Sequence, residues 1–151
     1  MTGIADRPET QTKPGPLDRY RGWFVAAAIY NLVWGTLVVL FPDALFRLIG
    51  APIPTYPPIW QSVGMMVLVY APGYWWVSRN PQGHARLIVI ALMGKVFGPI
   101  GFAWSAATGQ LPLAFGLTIL TNDLIWWPAF AFFLRDAARL SGGWRRFLSG
   151  D

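Results

Sequence analysis

Four stretches of the chain, about 23–41, 59–77, 87–107 and 113–134, are apolar almost throughout. At a rise of roughly 1.5 Å per residue, each is long enough as a helix to cross a hydrocarbon core of about 30 Å. The expected fold is therefore an all-α integral membrane protein, a four-transmembrane-helix antiparallel bundle. Composition agrees: 54% of residues are hydrophobic and 13% charged, whereas about a quarter of a soluble domain is charged. Nine Trp, five Tyr and ten Phe suit helix ends at headgroup level better than a small soluble core.

The connections divide the chain into three parts. Residues 1–21, rich in Pro, Thr and Gly, read as a disordered N-terminal tail. With Asp6 and Glu9 and no apolar segment before Trp23, this stretch is not expected to be a cleavable signal peptide. Residues 22–135 form the transmembrane domain, and 136–151 a basic tail. After the first run, "FPDALFRLIGAPIPTYPP" is too proline-rich to continue a helix. Within it "DALFRLI" is expected either as an interfacial helical turn, with Leu45, Phe46, Leu48 and Ile49 on lipid, or as a lid or irregular loop. The third and fourth runs are joined by "ATGQLP", which only connects antiparallel neighbours.

Charge orients the bundle. Arg7, Lys13, Arg19, Arg21, Arg79, Arg86, Arg135, Arg139, Arg145 and Arg146 fall on one side of the four runs and only Arg47 on the other. Both termini are therefore expected in the cytoplasm. The net charge of +5 flanks apolar spans and is not gathered on a polar face, so no nucleic-acid partner is expected. The chain has no cysteine and a single histidine, His84, so no metal site, haem ligation or other cofactor is expected. The patterns "YNLVWG" with "FP" and "TNDLIWW" resemble those of small bacterial four-helix membrane proteins, which implies the bacterial inner membrane.

One lysine breaks the apolar pattern. Lys95 lies roughly 13 Å into its span, near the midplane. Asn31 in the first run and Asn122 and Asp123 in the fourth lie at similar depth. A charge at the bilayer centre costs about 2.5–3.5 kcal/mol on insertion scales, so two of opposite sign are expected to pair. Pro99 has no N–H for the carbonyl four residues earlier, that of Lys95, and marks a kink. Gly94, Gly98 and Gly101 at i, i+4 and i+7, and Gly35 beside Asn31 and Ala27 on the first helix, are the expected close-packing positions. Tyr30 and Trp126 flank the layer as walls, although lipid contact is the commoner role of such aromatics.

Two functions follow. In the first, Lys95, Asp123, Asn31, Asn122, Tyr30 and Trp126 bind or pass a small ligand or ion. In the second, the chain is an accessory or assembly subunit of a larger membrane-protein partner, and its charges are interhelical glue. An enzyme is the weakest expectation, since no catalytic residues stand out: there is no histidine cluster, serine–base pair or second intramembrane carboxylate.

The natural absence of cysteine allows a clean test of orientation. Gln110→Cys should react with an impermeant maleimide from outside the cell, and Gly83→Cys only after the cytoplasmic face is opened. The reverse pattern would invert the topology.

Overall fold

In a computed structural model, residues 14–150 are described. Arg7, Lys13, Asp151 and most of the expected N-terminal tail lie outside the described residues. Among the described residues every regular element is helical. A 3-10 turn at Asp18–Tyr20 leads into α1 (Arg21–Leu40), followed by the short α2 (Ala44–Leu48), α3 (Pro57–Arg79) and α4 (Leu87–Ala107). A second 3-10 turn, Leu113–Phe115, precedes α5 (Gly116–Asn122), and a third, Leu124–Trp126, separates it from α6 (Trp127–Leu140) and α7 (Trp144–Ser149).

Three helical segments are long and apolar enough to cross a membrane: Asp18–Leu40, Leu87–Ala107 and Leu113–Leu140. With its 23 residues α3 matches them in length, but Pro57, Pro58, Gln61, Ser62, Pro72 and Ser78 dilute its apolar character. The expected span over 113–134 lies within Leu113–Leu140, whose α-helix is interrupted by the 3-10 turn Leu124–Trp126. Its helix stops at Asn122 and restarts at Trp127. Pro128 is the physical cause: it has no N–H to return to the Leu124 carbonyl, and its ring would clash with that carbonyl in a continuous helix. The chain responds by tightening. Asp123 is stretched to the edge of the helical region at φ −119°, ψ −62°, and the Trp126 N–H bonds the Asp123 carbonyl three residues back, at 3.2 Å.

α1 and α3 are antiparallel and meet at glycine. A Cβ on Gly64 would stand 2.8 Å from Val38 Cγ1, and one on Gly35 2.8 Å from the Gly64 carbonyl oxygen. Neither residue tolerates a side chain at this separation, so both backbones approach closely. Side-chain amides pin the register on either side: Asn31 Nδ2 donates to the Val67 carbonyl at 3.3 Å, and Gln61 Nε2 to the Val39 carbonyl at 2.8 Å. The glycines of α4 behave differently. Gly98 faces Asp123, Gly94 has only the Tyr70 hydroxyl near it, and Gly101, expected in the packing stripe, meets nothing within 4 Å.

Aromatic clusters close both ends. At one end α2 turns Phe46 inward, 6% exposed, between Trp60 and Phe115, with ring centroids at 5.3 and 6.0 Å. Phe46 therefore does not lie on lipid, while Leu48 is 83% exposed. At the other end Phe24, Phe130 and Phe133 are fully buried. There Tyr20 Oη donates to Asp136 Oδ2 at 2.7 Å, and Arg19 pairs with the same carboxylate. The chain is thus anchored from Leu17 onward, with Leu17 and Tyr20 buried, where a disordered tail to residue 21 was expected. The basic segment after 135 is likewise helical through Leu140 and again in α7, whose Phe147 is buried.

Gly64→Leu should force α1 and α3 apart and lower stability in detergent by about 1–3 kcal/mol, as overpacking does. Gly101→Leu, which meets open space, should be neutral or slightly stabilising, since glycine is a poor helix former. Equal thermal denaturation midpoints for the two variants would show that the α1–α3 contact does not require glycine.

Candidate functional site

Lys95 and Asp123 face each other across the α4–α5 contact, each 5% exposed. Lys95 Nζ lies 3.7 Å from Asp123 Oδ1. A nearer partner is the main-chain carbonyl of Asn122, to which Nζ donates. In an unbroken helix that carbonyl would accept from the Trp126 N–H, which is instead committed to Asp123. The ammonium therefore enters the gap in the helix, held by one carbonyl oxygen and one carboxylate.

The arrangement is reciprocal. Pro99 leaves the Lys95 carbonyl without its helical donor, and Trp127 Nε1 donates to it at 3.1 Å. Trp126 Nε1 donates to the Thr121 carbonyl at 3.1 Å, again on the broken turn. Two prolines, Pro99 in α4 and Pro128 in α6, thus disturb facing backbones at one level, and the disturbed groups are met by side chains from both. α4 itself runs unbroken through Pro99. The carboxylate oxygen that faces Lys95 has a second, closer partner. Asn122 Nδ2 donates to Asp123 Oδ1 at 3.0 Å, and a Cβ at Gly98 would lie 2.7 Å from Asp123 Oδ2. Gly98 is thus required by a side chain rather than by a neighbouring backbone.

Around this pair the remaining expected residues spread over two contacts. Tyr30 Oη donates to Thr121 Oγ1 at 3.1 Å, and its ring packs on Trp126 at 5.6 Å. Trp126 is 4% exposed and lies within the aromatic core against Trp23, Tyr30 and Phe130. Asn31 bonds to α3 and makes no hydrogen bond to Lys95 or Asp123. Two amide oxygens, Asn31 Oδ1 and Asn122 Oδ1, are buried without a hydrogen-bond partner. Tyr74, buried, shares this interior with Asn31, Tyr70 and Asp123.

Trp127, Tyr70 and Tyr74 were not among the residues expected from sequence. Trp127 had a legible signal: Pro128 within an apolar run announces a helix boundary just before it. Tyr70 and Tyr74 carry no such signal, and only the packing of α3 turns them toward the core. No protein-family model, curated protein or solved structure matches the chain.

A double-mutant cycle measures the coupling. Lys95→Leu and Asp123→Leu should each cost about 3 kcal/mol by leaving an unpaired buried charge. The double variant should recover part of that loss. Recovery should be incomplete, because the Asn122 carbonyl then has no donor. Trp127→Phe, which strands the Lys95 carbonyl, should cost about 1–3 kcal/mol. Strict additivity in chemical denaturation would mean that the two charges do not interact.

Proposed function

We propose that the chain is a four-helix integral membrane protein of the bacterial inner membrane, with α3 as its second span and both termini cytoplasmic. Its polar layer binds, and in one version translocates, a small hydrogen-bond-donating molecule or a cation. One observation carries this reading: Asn122 Oδ1 is a buried acceptor without a donor, and Asn31 Oδ1 has only the neighbouring Tyr74 hydroxyl to turn to, in an interior that also holds the Asp123 carboxylate. A buried unsatisfied polar group costs about 1–3 kcal/mol, and two such oxygens beside a carboxylate are a cost that a bound donor would offset. Within the polar layer the unpaired groups are acceptors, which selects for a donor or a positive charge; the one other unpaired group among the described residues, Trp60 Nε1, lies in the aromatic cluster with Phe46 and Phe115. A broken helix whose carbonyls face a polar interior is also a recurring way to build intramembrane sites.

The second reading, an accessory or assembly subunit, is supported by the pairing of Lys95. Its ammonium and its carbonyl both find partners within the chain, which is how an interhelical clasp behaves.

Thermal stability in mild detergent separates the two. Against a panel of sodium, lithium, ammonium and small primary amines, with choline as control, one donor class should stabilise the protein. At a hundredfold excess over Kd the gain should be about 2.7 kcal/mol. Asn31→Leu and Asn122→Leu should fold yet lose the response, since each removes an acceptor oxygen. A panel without effect, or a gain that survives both substitutions, would return the polar layer to glue.

A further inference from the structure

At the arginine-rich end, where α3 finishes, α4 begins and α6 runs into α7, a cavity of about 750 Å³ opens. Its polar wall includes His84, Arg86, Ser141 and Arg146, and its apolar wall Trp76, Leu87 and Ile90. Trp76, Leu87 and Ile90 also line a second space of about 420 Å³ between α3 and α4, bounded by Val69, Pro72 and Gly73. The two therefore share a wall: a cationic chamber lies directly beside an apolar groove. Gly73 helps to make the groove, because it carries no side chain and a Cβ there would meet nothing within 4 Å.

We propose that this combined space binds one anionic phospholipid, with its phosphate between Arg86 and Arg146 and an acyl chain along the α3–α4 groove. Charge identifies the headgroup. Among the described residues Arg19 and Arg135 pair with Asp136, Arg21 with Asp18 and Arg47 with Asp43, while Arg79, Arg86, Arg139, Arg145 and Arg146 take part in no ion pair, and of these Arg86 and Arg146 line the chamber. Two guanidiniums at one chamber present the planar forked donors that bind phosphate best. Arg146 is positioned for this by α7, which is tied down by buried Phe147. The end of α7 also reaches Arg86, since a Cβ at Gly150 would lie 2.6 Å from its Nη1. The groove identifies the rest of the ligand. A water-soluble phosphate would need only the chamber, whereas Val69 to Trp76 offers about 10 Å of apolar wall along α3, suited to hydrocarbon. Basic pockets between helices at the membrane surface hold anionic lipid by the same combination. The site uses none of the polar-layer residues except the flanks of Tyr70 and Tyr74, and it stands whether or not that layer binds a ligand.

The test is native mass spectrometry of the full chain in mild detergent with phosphatidylglycerol or phosphatidylcholine added at equal concentration. Phosphatidylglycerol should be retained about tenfold better, the worth of one charge-assisted contact. Arg86→Gln with Arg146→Gln should abolish the preference. Arg139→Gln with Arg145→Gln, which removes the same charge outside the chamber, should leave it intact. Gly73→Phe, which fills the groove, should lower phosphatidylglycerol retention severalfold. Equal retention of the two lipids, or equal loss in the two arginine pairs, would overturn the proposal. So would undiminished binding in Gly73→Phe, because the site would then hold a phosphate group without its chain.

Discussion

In an apolar interior a backbone carbonyl without a donor has no water to turn to, and two prolines place such groups on facing helices. The Lys95 carbonyl, stranded by Pro99, takes the indole N–H of Trp127, and the Asn122 carbonyl, released where the last long segment breaks, takes the ammonium of Lys95. Each helix thus repairs the other. The break is tolerable only because α4 brings a long flexible cation to it, and the cation is tolerable only because the break offers a carbonyl beside Asp123. The ion pair at 3.7 Å is the looser part of this exchange, so describing the centre as a salt bridge alone would miss the groups that hold it most directly.

The rest of the packing keeps these two backbones level. The glycine contact of α1 with α3 brings Asn31 and Tyr74 toward the same interior, and buried aromatic side chains hold the segment ends. Phe46 closes one end and the Phe24, Phe130 and Phe133 cluster the other. These clusters are rigid and apolar, and apart from Trp60 Nε1 in the first of them the incomplete hydrogen bonding lies in the polar layer. The unpaired Asn31 and Asn122 oxygens gain significance from that contrast. They sit among groups that are otherwise carefully matched.

Positive charge is also divided by use. Arg19 and Arg135 share Asp136 and fasten the start of α1 to the end of α6. Arg86 and Arg146 instead border an open chamber that shares a wall with an apolar groove. Arginines that look alike as a topogenic count therefore separate into those that join helices and those that face a space.

Much was determined by the sequence alone. Helical class followed from apolar run lengths, and the limits of α4 from its continuous hydrophobicity. The shared level of Lys95, Asn31, Asn122 and Asp123 followed from residue spacing at a fixed rise. Run length says nothing, however, about which side-chain atom meets which carbonyl. The break at Asp123 was legible in principle from Pro128, yet hydropathy averaged over it because every neighbour is apolar. The roles of Gly98, Trp127, Tyr74 and Phe46 were decided only by tertiary structure. Each depends on the rotation of one helix against another, and that rotation is chosen by close packing and by the requirement that every buried carbonyl find a donor, which are properties of pairs of segments.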